Sequence, residues 1–492
     1  MNKLFAFAEN PRCAILFLIL LGAVMFLPGF YTIPPIDRDE ARFAQASKQM
    51  IESGNYFDIH FQNEVRYKKP VGIYWLQVAS TKIFGAPPFN QIWTYRVPSF
   101  LAAIASLMLT YLIGRNLISS QVGFGAALLL SSALILSAEA RLAKTDAILL
   151  ATTLFAMWQL AKVYIADDRS GRVNEWSRII IFWLAIAAGI LIKGPVILMV
   201  VGLTVVTLCI LQKSPQLFLQ LRPLIGLGII VLCIAPWLIA ITIQSHGLFW
   251  QESIGHDMLG KVSAGQESHG LPPGTHMALL LILFLPAIVP VVRGLLHGWQ
   301  TRGDRVTQFL LAWIIPSWLI FEIIPTKLPH YTLPMYPAIA LLAATALSKV
   351  NFSDRRQRLA FAIPIAIALA LNIKLLGFIA PSLPNFWIAP QLQQIAQGRP
   401  VILVGYEEPS AIFLLGTKTQ WFGDAKSALN AWEDDDGALL IVSNEKLSEL
   451  KGLLKITHTN LNTQKQIRGM NLGRGRMETL YVFQYTDFYD PD

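Results

Sequence analysis

The chain has 492 residues and a formal net charge of +9; 54% of its residues are hydrophobic and only 14% are charged. With a mean hydropathy of +0.49 it is too apolar for a soluble globular protein, and the composition identifies a polytopic membrane protein. The positive excess divides between a cytoplasmic loop bias and a basic outer face suited to an anionic substrate, and no nucleic-acid partner is expected.

In chain order, apolar runs of roughly 17 to 25 residues, the length that crosses a bilayer, cover 13–30, 97–114, 122–138, 146–165, 178–192, 194–211, 223–243, 277–297, 306–325, 331–347 and 358–380. A shorter run, 71–84, is broken by Gln77 and Lys82 and reads either as a re-entrant or interfacial helix or as one more span. The expected fold is an all-α polytopic membrane protein with about 11 to 13 transmembrane helices. Lys3 and Arg12 flank the first run as in a signal peptide, but Leu27-Pro28-Gly29-Phe30-Tyr31 offers no small-x-small cleavage site, which predicts an uncleaved anchor. Cys13, Cys209 and Cys233 all fall inside spans and read as small packing residues.

With a cytoplasmic N-terminus, the inside loops hold Lys162, Arg169, Arg172 and Arg178, then Lys213 and Arg222, then Arg293, Arg302 and Arg305, then Lys349, Arg355, Arg356 and Arg358. That is the positive-inside bias. The outer segments are then 31–96, 139–145, 244–276, the turn Thr326-Lys327-Leu328-Pro329-His330, and everything beyond about 381.

The first outer segment carries Asp37-Arg38-Asp39-Glu40-Ala41-Arg42 directly after an apolar run, where charge is costly to place. From Asp39 onward, Phe43, Ser47, Met50 and Ile51 recur at helical spacing, with Lys48 and Glu52 elsewhere; this predicts an amphipathic helix on the membrane surface. Asp39 at its start reads most simply as a cap stabilised by the helix dipole. Arg66-Tyr67-Lys68-Lys69-Pro70 with Tyr74-Trp75 follows, a row of cations beside aromatics that suits either interfacial anchoring or a lipid-linked phosphate. Arg141-Leu142-Ala143-Lys144-Thr145-Asp146 fills a short outer turn, and Lys193-Gly194-Pro195 breaks two apolar runs at the same rim. The long outer loop holds Glu252, His256, Asp257, Lys261, Glu267 and His269; loops of this length are usually functional.

After Ala380 the chain turns polar. Strand-like runs at 401–405, 438–442 and 479–485 and helical stretches at 391–398 and 446–452 predict a small periplasmic α/β domain over 381–492, distinct from a membrane domain over 1–380. Glu433-Asp434-Asp435-Asp436 reads as a solvated turn before a strand.

Six motifs in order resemble the protein mannosyltransferase and aminoarabinose transferase group of C-type membrane glycosyltransferases: Asp39-Glu40-Ala41-Arg42-Phe43-Ala44, Tyr67-Lys68-Lys69-Pro70 with Tyr74-Trp75, Tyr95-Arg96-Val97-Pro98-Ser99, Arg141 to Asp146, Lys193-Gly194-Pro195, and Lys327-Leu328-Pro329-His330-Tyr331-Thr332-Leu333-Pro334. The likeness spans about residues 30–345. It implies transfer of a sugar from a polyprenyl-phosphate carrier to a lipid or glycan acceptor, such as lipid A, at the periplasmic side of the bacterial inner membrane. The partners it implies are that donor, the acceptor and membrane lipids. Protein O-mannosyl transfer is the alternative. A non-enzymatic transporter or flippase is the other, although no pair of broken helices in matching halves is visible.

By position, the resemblance makes Asp39 the catalytic base or acceptor-orienting acid and Asp146 a second acid. Arg42 and Lys69 match cations that hold the carrier phosphate, and His256 and Lys261 match a histidine and basic residue of the aminoarabinose branch. That branch has a glutamate, a metal ligand, directly before the lysine; here the position is Lys68. No metal ligand is therefore assigned, and a divalent cation stays open as a cofactor. Glu40, Tyr67, Lys68, Arg141, Lys193, His269, Lys327 and His330 complete the expected substrate-binding set. Chemically, cations placed around a departing phosphate stabilise its developing charge, and an acid opposite takes the acceptor proton, with inversion expected of a single displacement.

Overall fold

The computed structural model describes residues 8–36, 38–165, 175–258, 270–348, 355–380, 382–383, 386–435, 437–457 and 463–484. Among the described residues, seven helices are long and apolar enough to cross a membrane: Ile92–Leu117, Asp146–Ile165, Trp176–Lys193, Pro223–Gln244, Arg305–Ile323, Pro329–Ser348 and Arg358–Ile379. An eighth crossing is the pair Thr275–Leu283 and Leu285–Gln300, bent by 81°. Three shorter apolar helices, Pro11–Phe26, Ser120–Ser131 and Val196–Gln212, complete a set in which each apolar run of the sequence has its helix. The run 71–84 forms a helix over Gly72–Phe84 of 13 residues, about 20 Å at 1.5 Å per residue and too short to span.

Lipid offers helices no hydrophobic incentive to associate, so close packing has to supply it. Small residues do this at two crossings. A Cβ on Gly114 would lie 2.4 Å from the Cα of Gly123, and one on Gly294 would lie 2.4 Å from the Cα of Ala343. The lipid-facing surface stays apolar: Leu224, Leu232, Ile239 and Ile243 of Pro223–Gln244 are all exposed.

Strands β1 (His60–Phe61) and β2 (Glu64–Val65) form a short hairpin, and the C-terminal segment forms a five-stranded sheet whose strands lie in the order Gln420–Phe422, Val401–Val404, Leu439–Ser443, Arg476–Gln484, Thr463–Asn471. Here β3 is Val401–Val404, β4 Gln420–Phe422, β5 Leu439–Ser443, β6 Thr463–Asn471 and β7 Arg476–Gln484. Strands β3, β4 and β5 are parallel, while β7 runs antiparallel to both β5 and β6. The central strands are uniformly buried, as befits a sheet covered on both faces. Helices Pro409–Leu415 and Ala425–Glu433, with β4 and β6, are additions to the elements expected from sequence. Asp434 and Asp435 are exposed in the turn before β5, as expected.

Between the two parts lies helix Arg38–Ser53. Its apolar face packs on the membrane body through Phe43 and Met50. Part of its polar face, around Gln45 and Lys48, does not meet water as the amphipathic pattern implied, while Glu52 and Ser53 at its end stay exposed. Lys48 is 1% exposed and its Nζ donates to the Phe413 carbonyl oxygen at 3.3 Å, while Gln45 Nε2 donates to Thr417 Oγ1 at 2.8 Å. The difference arises because the C-terminal sheet domain covers that face, and burial holds the Lys48 ammonium below its usual range despite Glu52 nearby.

Candidate active site

Helix Arg38–Ser53 begins with two acids in its first turn, where the positive end of the helix dipole favours them. Their surroundings differ completely. Glu40 is fully buried and bound by Arg96, with Nε to Oε1 at 2.7 Å and Nη2 to Oε2 at 2.9 Å. It also accepts from the backbone N–H groups of Ile36, at 3.1 Å, and Ala143, at 2.9 Å. Arg96 spends its remaining donors on the carbonyls of Phe30, Ile33 and Pro34. Every polar atom of this buried pair thus has a partner, the condition under which burial of charge is tolerated. Asp39, by contrast, is half-exposed.

Glu40 thereby anchors the turn that carries the second acid. Gln77 Nε2 donates to the Ala143 carbonyl at 3.0 Å and Ser99 Oγ to the Lys144 carbonyl at 3.2 Å. Ser47 Oγ in turn donates to Gln77 Oε1 at 2.6 Å, tying helix Arg38–Ser53 to helix Gly72–Phe84. The turn leads into Asp146, the first residue of a span, whose carboxylate is bound by Lys193 Nζ. His330 Nε2 stands 3.8 Å from Asp146 Oδ1 and His330 Nδ1 stands 3.7 Å from Glu139 Oε1. Lys144 Nζ lies 3.7 Å from Glu139 Oε1. The Lys193 ammonium also lies 5.5 Å from the centre of the Tyr331 ring, a cation–π distance.

Asp39 faces the same cluster. Arg66 Nη2 is 3.8 Å from its Oδ1, and the guanidinium is held over the Phe43 ring at 5.2 Å. Partial burial pushes the Asp39 carboxyl up, but Arg66, Lys144, Lys69 and His330 together outweigh it and hold the group below its ordinary value of 3.8. Lys144 and His330 act on both Asp39 and Asp146. Loop 36–70, turn 139–146, Lys193 and His330 therefore form one cluster, from segments that the charge bias assigns to a single face.

Of the residues expected to touch substrate, Asp39, Lys69, Asp146, Lys193 and His330 meet in this cluster. Arg42 is half-buried one turn from Asp39, and Lys68 is exposed beside Lys69, whose Nζ donates to the Lys68 carbonyl at 2.8 Å. Tyr67 is buried, its hydroxyl donating to Asp58 Oδ1 at 2.8 Å; burial and that carboxylate push its ionisation up. Three others have their polar atoms engaged within the protein. Glu40 is consumed by Arg96 and two backbone amides. Arg141 is a buried strut that donates to the carbonyls of Pro28, Ser137 and Met25. Lys327, 3% exposed, donates to the carbonyls of Glu322 and Ile324. Arg141 and Lys327 lie where the chain turns back from the membrane and leaves carbonyls that need donors, whereas Glu40 supplies the acceptor that two backbone N–H groups and the Arg96 guanidinium need. The side chain of His256, and Lys261 and His269 altogether, lie outside the described residues.

Arg66, Lys144, Glu139 and Arg96 join the site beyond the residues expected from sequence. Arg66 and Lys144 sit inside motifs already singled out, and Glu139 ends an apolar run, itself a signal of function. Nothing local marks Arg96 as the partner of Glu40.

Glu139, Asp146 and His330 present one ligand atom each within 4.8 Å of one another, a donor set that a divalent cation uses. The charges argue against one. Lys193 is bound to Asp146 and Lys144 lies beside Glu139, so a dication would meet two ammonium groups on the carboxylates it needs. The residues do not fit a resident metal, and no step is assigned to one.

Residues 68–239 match the family described as dolichyl-phosphate-mannose-protein mannosyltransferase. An undecaprenyl phosphate-alpha-4-amino-4-deoxy-L-arabinose arabinosyl transferase of Pseudomonas fluorescens is 28% identical over 361 residues, covering 70% of this chain and 61% of the relative. The chain thus spans about three fifths of the length of the curated relatives it matches. Among solved structures, ArnT from Cupriavidus metallidurans bound to undecaprenyl phosphate has the same fold, with a TM-score of 0.76 at 16% identity over 96% of this chain and 98% of that one. The Archaeoglobus fulgidus oligosaccharyltransferase is a more distant likeness, with a TM-score of 0.55 at 10% identity over 88% of this chain and 70% of that one. The chain is therefore a multi-pass membrane protein that resembles the aminoarabinose transferase and protein mannosyltransferase group.

Proposed function

We propose that this protein is a membrane glycosyltransferase that moves a sugar from a polyprenyl-phosphate carrier to a lipid or glycan acceptor, such as lipid A, at the periplasmic face of a bacterial inner membrane. The observation that carries this reading is the single cluster in which Arg66, Lys69, Lys144 and Lys193 surround the carboxylates of Asp39, Glu139 and Asp146. Cations already in place at the membrane edge stabilise the charge that develops on a departing phosphate without reorganising when it forms. Arg66 and Lys69, with Arg42 and Lys68 beside them, face the carrier phosphate.

The two acids take different roles. Asp146 is buried and bound by Lys193, which suits a group that sets the field and holds the lysine. Asp39 is half-exposed and kept ionised by its neighbours, which suits accepting the proton of an attacking sugar hydroxyl, with inversion at the anomeric carbon. Where the acceptor is a phosphate, already deprotonated, Asp39 orients it instead. Glu40 and Arg96 position both acids. In this reading residues 1–380 are the transferase domain, and 381–492 are a periplasmic domain that closes over helix Arg38–Ser53.

Incubating purified protein with a radiolabelled polyprenyl-phosphate sugar and mixed acceptors tests the reading. Label is expected in lipid A or a glycan lipid. Label in protein alone would replace the acceptor class with polypeptide, and carrier translocation without any transfer would overturn the enzyme.

A further inference from the structure

A crevice of about 380 Å³ lies away from the acid–cation cluster, between helix Arg38–Ser53, the short hairpin of β1 (His60–Phe61) and β2 (Glu64–Val65), and the loop before β4. Its size falls within the usual range of small-molecule sites, about 300 to 1,000 Å³. Gln49, Glu52, Asn55, Asp58, His60 and Thr417 supply most of its wall, and among the described residues no lysine or arginine lines it. The crevice therefore offers amides, carboxylates, an imidazole and a hydroxyl, the groups that pair with hydroxyls and amines, while its charge disfavours phosphate.

The wall is built, not incidental. Gln49 Oε1 accepts from the Gln62 backbone N–H at 2.7 Å, and Gln49 Nε2 donates to the Gln62 carbonyl at 2.9 Å. Thr417 Oγ1 donates to Glu52 Oε2 at 2.7 Å, so the C-terminal domain closes one side. His60 Nε2 is 2.9 Å from Asp58 Oδ2, and the other oxygen of Asp58 receives the Tyr67 hydroxyl at 2.8 Å. Tyr67 stands between Arg66 and Lys68, so the crevice backs directly onto the cation row.

Distance decides which part of a substrate can occupy it. Asp39 is in the first turn of the helix and Gln49 ten residues on, about 15 Å along the axis. A group bound at Gln49 and Glu52 is thus not the reacting hydroxyl but a portion of the acceptor well removed from it. Binding energy from such a remote portion serves to hold the acceptor in register with the reacting centre.

We infer that this crevice is a remote acceptor subsite that takes a hydroxyl- and amine-bearing saccharide carrying no phosphate. The inference rests on the transferase reading, and its test is a binding measurement that needs no turnover. Saturation-transfer NMR of a glucosamine disaccharide with the full chain in detergent micelles should show contact with the protein, unaffected by excess inorganic phosphate. Glu52→Gln combined with Gln49→Ala should weaken binding at least tenfold, and Ser53→Trp, which fills the crevice from an exposed position, should do the same. Both variants should bind undecaprenyl phosphate as the unaltered protein does, which checks their fold. Asp39→Asn should leave the disaccharide signal intact, so loss of transfer and loss of this subsite are read separately. No disaccharide signal above empty micelles, equal binding by the variants, or displacement by phosphate would each overturn the subsite.

Discussion

Glu40→Gln removes one negative charge from a fully buried pair and leaves the shape of the site nearly unchanged. Two charge-assisted hydrogen bonds from Arg96, at 2.7 and 2.9 Å, are each worth about 1.5 to 3 kcal/mol. A glutamine oxygen keeps one of them, still donated by the guanidinium but without the carboxylate charge, worth about 1.5 kcal/mol. The carbonyls of Phe30, Ile33 and Pro34 continue to solvate the guanidinium. The difference is a loss of about 3 kcal/mol, the lower end of the range for breaking one side of a buried ion pair. Reversible unfolding by SDS titration, followed by tryptophan fluorescence, measures it. Transfer should fall with it, because the Ala143 N–H that Glu40 holds belongs to the turn leading to Asp146. A Glu40→Gln protein within about 1 kcal/mol of the original stability, with transfer intact, would refute the positioning role.

Asp39 is held below its ordinary 3.8 chiefly by Arg66 against the opposing effect of burial, so its ionised form persists as pH falls through the usual carboxylate range. The acid limb of the transfer profile should accordingly lie below that of a free carboxylate, and Arg66→Gln should move it upward; a limb that ignores Arg66 would remove Asp39 from the proton path. A stability share tied to the same group is present above its unfolded value and lost as pH drops through the depressed folded one. Phe413→Ala removes a buried ring that meets Tyr95 edge-on at a centroid distance of 5.4 Å. It should destabilise by about 3 kcal/mol and raise the protease sensitivity of the segment after residue 380, whereas unchanged protection would show that the C-terminal domain is not held by this contact.

The spans were legible because an apolar run of sufficient length has only one use in this composition, and each such run became a helix. The strands Val401–Val404 and Leu439–Ser443 were legible for a similar reason, being short uninterrupted apolar segments in a polar context. Strand β6 was not, because Thr463–Asn471 carries lysine, arginine and glutamine on an edge and has no apolar period. The site residues were found as motifs, but motifs do not reveal partners. Glu40 and Arg96 lie 56 positions apart, Lys193 and Asp146 lie 47 apart, and no local pattern joins them. Arg141 and Lys327 read from sequence as substrate ligands because their charges stand at the membrane edge. Their donors instead satisfy carbonyls freed where the chain reverses, a requirement that depends on tertiary placement.

Asp39 performs chemistry among cations that bind the carrier, and single-turnover transfer by Asp39→Asn is the sharpest check of that role. With undecaprenyl phosphate affinity measured on the same preparation, binding should stay within about threefold of the unaltered protein and transfer should fall by at least about 100-fold, the scale of a general base. Transfer within about tenfold of the original rate, or carrier affinity lost together with it, would remove Asp39 from the chemistry.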